Sequence, residues 1–200
     1  MEGTPQLGLV ERAVSLYDER MPSNPREVVD SAIAPRSGST LAPAPRLLGS
    51  DRHHRMGTWG PVFFVLWKGE VEPRTADRIQ VGLRAFAQTL GGHRAALLTV
   101  VEQGAPIPSS EARAALANVL RHGADAVLAS AVVMEGDGFR ASMVRSVATG
   151  LALVARQPFP HRVFARTEDA AEWLDLRLGG QLPHASAAEI SVALEELRHE

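Results

Sequence analysis

Apolar positions repeat along this chain at two spacings, and the spacing switches several times between residues 52 and 178. HRMGTWGPVFFVLWKGEV, from residue 54, predicts two strands broken at Gly60-Pro61, and the β-branched and aromatic run VFFVLWK suits a central strand. Ile79, Leu83, Phe86 and Leu90 then recur at helical spacing, and Gly91-Gly92 stands where such a helix should end. RAALLTVV (94–101) and AVLASAVVM (126–134) are short, nearly continuous apolar runs, the mark of strands covered on both faces. Between them SSEARAALANVLRHG predicts a helix closed by Gly123. RASMVRSVATGLALVAR (140–156) carries Met143, Val147, Leu151 and Val154 on one helical stripe. RVFAR (162–166) reads as a short edge-like strand, and TEDAAEWLDLRL as a helix in which Thr167 caps and Glu168 and Asp169 favour the positive dipole end. Trp173 and Leu174 are then expected to pack on the sheet. Connections are short throughout, so the pattern predicts an α/β domain with a mixed sheet and helices packed on it, in the order ββαβαβαβα.

The flanks differ. Val10, Val14, Tyr17 and Met21 fall on one helical stripe that Pro22 and Pro25 stop. PRSGSTLAPAPRLLGS (35–50) favours extended, solvated chain. Residues 1–50 are therefore expected to form an N-terminal extension, a short amphipathic helix plus a flexible linker, ahead of the α/β domain at 51–180. The helix either docks back on its own domain or is presented to a protein partner. In the helical tail expected at 181–200, Ser186 and Glu189 fit a capping box, with Ile190, Leu194 and Leu197 as the apolar stripe.

Composition narrows the chemistry. With 21 basic and 23 acidic residues the formal net charge is −2, so no overall field attracts nucleic acid. Cysteine is absent, which excludes disulfides, thiolate catalysis and cysteine-ligated metal, and fits a reducing compartment. The beginning of the chain lacks the basic start and apolar run of a signal peptide, and VATGLALVA (147–155) is about half the length needed to span a bilayer. A cytoplasmic location without a transmembrane segment is the expectation.

The element order resembles that of the STAS fold of bacterial anti-anti-sigma factors. Within that group the chain is most similar to the uncharacterised STAS/SEC14-like proteins, on Lys68-Gly69-Glu70 after the opening strand and on HRVFARTEDAAEWL (161–174) near the close. The resemblance covers about residues 52–178. It implies a STAS-like fold and a non-catalytic regulatory module acting through protein–protein binding. The lipid-binding side of the family name implies the alternative, a carrier of an apolar, lipid-like small molecule. Self-association is left open.

In phosphoregulated STAS proteins an Asp-Ser-Gly-type stretch opens the helix after a strand that ends in an acid. Here the strand ends at Glu102 and the helix opens as Pro108-Ser109-Ser110-Glu111, so the flanking Asp and Gly are missing. Ser109 and Ser110 are candidate phosphoacceptors, because a helix N-terminus favours phosphate. An ordinary N-cap explains them as well. Glu135-Gly136-Asp137-Gly138 is a turn at a strand's C-terminal end, where open α/β sheets place ligands. Glu135, Asp137 and Arg140 are therefore candidates for a ligand or partner loop. His53 and His54 stand together and His93, His122, His161, His184 and His199 singly, with no metal-ligand spacing, and most are expected to face solvent. No catalytic constellation, metal site or cofactor motif can be placed.

Overall fold

The computed structural model describes residues 44–136, 158–179 and 185–200. The N-terminal helix at Val10, Val14, Tyr17 and Met21 lies outside the described residues, as do Asp137, Arg140 and the helix expected at 140–156. Six strands form one sheet in sequence order: β1 (Arg46–Ser50), β2 (His54–Trp59), β3 (Val62–Trp67), β4 (Ala95–Val101), β5 (Val127–Met134) and β6 (His161–Phe164). The first three pair antiparallel, and β3 through β6 run parallel. Gly60, at φ 50°, makes the tight turn between β2 and β3, a backbone region that glycine occupies without strain.

Helix α1 (Pro73–Thr89) crosses from β3 to β4, and α2 (Ser110–Arg121) from β4 to β5. They touch each other on one face of the sheet, over Phe63, Val65, Trp67 and Leu97. Helices α3 (Thr167–Leu178) and α4 (Ala187–His199) cover the other face, over Phe64, Leu66, Leu98 and Val100. The alternation along β3 is why both faces are greasy: Val62, Phe64 and Leu66 point one way, Phe63, Val65 and Trp67 the other, and all six are buried.

Three expectations are corrected. The sheet begins earlier than residue 51, because Arg46–Ser50 pairs with β2 as an edge strand instead of forming linker. The C-terminal helix is part of the core: Ile190, Leu194 and Leu197 are fully buried, and a Cβ on Gly57 would meet Leu197 Cδ1 at 2.6 Å, so β2 needs glycine there for α4 to approach. Its capping box forms as expected, with Ser186 Oγ accepting from Glu189 N and Glu189 accepting from Ser186 N. Thr167 does not cap α3. The cap position falls on Arg166, whose extended backbone leads into the helix without a side-chain cap, and Thr167 is its first helical residue. Glu168 and Asp169 do lie in the first turn. Leu174 is fully buried, whereas Trp173 is partly buried, packed between the Phe164 ring at 5.7 Å and the Arg177 guanidinium at 5.2 Å.

Candidate functional site

On the face carrying α1 and α2, the sheet and helices do not close completely. An apolar cavity of about 130 Å³ lies between them. Its floor consists of neighbouring side chains on adjacent parallel strands. Leu97, Ser130 and His161 form one row, Val65, Thr99 and Val132 the next, and Trp67, Val101 and Met134 the third. Ile79 of α1 and Leu116, Val119 and Leu120 of α2 form the opposite wall. The rim is the loop Ala105–Pro108 with Arg113, whose guanidinium donates to the Pro108 carbonyl at 2.7 Å and ties the loop to the helix.

Thr99, Ser130 and His161 bring polar side chains into this lining, and two of their atoms are buried without a partner. Ser130 is completely buried, and its Oγ has no hydrogen-bond partner. His161 Nδ1 is buried and equally unpartnered. The two residues are directly paired across β5 and β6 and so share a face, on strands about 5 Å apart. Burial lowers the His161 pKa below its ordinary value of 6.5, so the ring is neutral at pH 7. Buried polar groups left without partners are rare in folded proteins, because each costs the desolvation it never recovers.

Most of the histidines are expected to face solvent, and His161, with its buried nitrogen, departs from the majority. His54 does so too: it is 1% exposed, its Nδ1 lies 2.9 Å from Asp51 Oδ1, and its ring packs 5.5 Å from Trp67. Burial lowers the His54 pKa, and the Asp51 carboxylate offsets that only in part. The sequence did carry a signal for Ser130, a lone hydroxyl in the apolar run AVLASAVVM. No local signal marks His161, since its burial depends on what packs over the sheet edge.

Ser109 is the N-cap of α2, its Oγ accepting from Ala112 N at 3.1 Å, and Ser110 is the exposed first residue of the helix. Both stand immediately beyond the rim. Glu135, at the end of β5, is held within the fold: together with Glu102 at the end of β4 it engages Arg198 of α4. Burial would lower the Arg198 pKa, but the Glu135 hydrogen bond and the charges of Glu135, Glu195 and Glu102 raise it. Arg55 in turn donates to the Leu197 and Arg198 carbonyls, closing the C-terminal end of α4. Glu135 is thus brought to Glu102 and Arg198, and among the described residues it joins neither serine. Among the described residues no group of three or more acidic or histidine side chains could hold a metal ion, and no helix is long and apolar enough to cross a membrane.

No family model and no curated protein matches the chain. Among solved structures, an uncharacterised protein of the DUF3478 family with a SpoIIAA-like fold, from Shewanella loihica PV-4, is similar to it. The match covers 68% of this chain and 98% of that one, at 14% identity and a TM-score of 0.39. The domain described above has the α/β architecture expected from the sequence pattern: a mixed sheet opened by an antiparallel pair and continued by parallel strands, with helices packed on both faces.

Proposed function

We propose that the protein is a non-catalytic binding module that takes a small, mainly apolar molecule into the cavity between the sheet and helices α1 and α2. The observation carrying this reading is the cavity itself, apolar along most of its described lining yet floored by two unpartnered polar atoms. Binding sites commonly combine an apolar lining with a few placed polar groups. Size restricts the ligand. Apolar cavities of about 150 Å³ take benzene, whereas drug-sized ligands need roughly 300 Å³ or more. The lipid-like ligand implied by the family resemblance is therefore narrowed to a single ring or a short chain.

Val132 lies in the middle row of the floor, so Val132→Phe should fill the space. Toluene, titrated into the full-length protein and followed by calorimetry, should bind the wild type and lose at least tenfold in affinity in the variant. Toluene bound equally by both, or by neither, would rule the cavity out as the site.

Protein–protein binding is the second reading, and one observation favours it. Ile107 stands 42% exposed at the rim, two residues before the Ser109 cap. On this reading the Ala105–Pro108 loop meets the partner, and phosphate on Ser109 or Ser110 would alter that contact.

A further inference from the structure

From the paired orphan atoms at the cavity floor we infer that the ligand is a neutral molecule bearing a hydroxyl, anchored between Ser130 Oγ and His161 Nδ1. The inference rests on the small-molecule reading and names the ligand's chemical class. A serine hydroxyl donates one hydrogen bond and accepts others, and a neutral imidazole nitrogen either donates or accepts according to its tautomer. A hydroxyl can accept from both atoms, or donate to one and accept from the other, so it satisfies the pair in either tautomer, whereas a carbonyl does so only when Nδ1 carries the proton. Strand pairing puts Ser130 and His161 side by side on one face, the placement that bridging by a single oxygen requires.

A carboxylate does not fit this floor. Its charge would need a buried cation, and the nearby imidazole is held neutral by its burial. Arg113, the basic residue among the described lining, stands at the rim with its guanidinium turned to the Pro108 carbonyl. Apart from the Thr99 hydroxyl, the remaining described lining of the floor and helix wall, Leu97, Val119 and Leu120 among it, offers apolar surface. A phenol has these properties: a ring of about the right volume and one hydroxyl for the polar end.

Phenol and toluene differ by little more than hydroxyl against methyl, so their affinities for the full-length protein isolate the anchor. Calorimetry at pH 7.5 should give phenol about tenfold tighter binding than toluene, the equivalent of one net hydrogen bond. Ser130→Ala and His161→Phe together should bring the phenol and toluene affinities within about twofold of each other, a ratio that reads the anchor whatever the changed lining does to toluene. Benzoate should bind the wild type at least tenfold more weakly than phenol. Toluene matching phenol in the wild type, or a phenol preference that survives both substitutions, would overturn the anchor while leaving the cavity as an apolar site. Benzoate matching phenol would overturn the neutral class. If neither phenol nor toluene binds, the cavity reading falls and this one with it.

Discussion

Ser130→Ala should make the unliganded protein more stable, although it removes a side-chain atom from a fully buried position. The serine hydroxyl is shielded from water and makes no hydrogen bond, so folding strips its hydration and returns nothing. An unsatisfied buried group of this kind costs about 1–3 kcal/mol. Deleting one oxygen enlarges the void by on the order of 10 Å³, which at about 24 cal/mol per Å³ costs only about 0.2 kcal/mol. Alanine fits the site sterically, being serine less its one side-chain oxygen. The net expectation is a gain of about 1–2 kcal/mol. Urea denaturation should show the midpoint rising with an unchanged slope, the mark of a stability change without a change in the surface exposed. The melting temperature should rise by about 2–4 °C per kcal/mol in a chain of this size. Alanine at Ser109 provides the internal contrast, because there the same substitution deletes a made hydrogen bond. A loss of more than about 0.5 kcal/mol in Ser130→Ala would mean that the hydroxyl is satisfied in solution, and the argument for a polar anchor would fail.

Ser109→Ala should destabilise by about 1 kcal/mol through loss of the cap, while Ser110→Ala, at the exposed first helical position, should change stability by less than about 0.5 kcal/mol in the same denaturation assay. Stability should also fall as pH drops from about 7 to 5. His54 and His161 both have folded-state pKa values below the ordinary 6.5, chiefly through burial, so the unfolded chain takes up protons that the folded one refuses. Their contribution is full above 6.5 and is lost as pH falls toward the lowered folded values; His161→Gln should make that loss shallower, and an unchanged slope would mean that the ring titrates freely in the fold.

Periodicity located β2 through β6 and the four described helices because each of those segments buries a repeating set of side chains. The edge strand β1 escaped for a physical reason. It follows Ala-Pro-Ala-Pro, has a neighbour on one side only, and its register slips between Leu47 and Gly49, so its five residues show no clean alternation of burial. Thr167 was the better-looking cap by residue type, yet the extended backbone at Arg166 starts the helix one residue earlier. The serine pair could be resolved into cap and first helical residue only from geometry, since either hydroxyl can cap a helix. The candidate site was least legible. Ser130 and His161 are 31 residues apart in sequence, and only the parallel pairing of β5 with β6 makes them neighbours.

The two faces of the sheet are filled differently, and side-chain size explains the difference. Opposite Ala96, Ala129 and Ala131, helices α3 and α4 present Leu174, Leu178, Ile190, Leu194 and Leu197, all fully buried, so small residues on the sheet receive large ones from the helices. On the other face α2 buries only Ala112 and Val119, and α1 contributes Ala76 and Gly82 beside Ile79 and Leu83. Medium-sized strand residues such as Val65, Thr99 and Val132 there meet short helix residues, and the interior stays open between them. A void of about 130 Å³ forgoes about 3 kcal/mol of packing at the usual cost per unit volume, before the two orphan polar atoms are counted. A ligand present at a hundred times its dissociation constant returns about 2.7 kcal/mol by mass action. If the proposed small hydroxylated molecule binds there, the same space that weakens the empty domain makes its stability responsive to that ligand, and binding couples to folding.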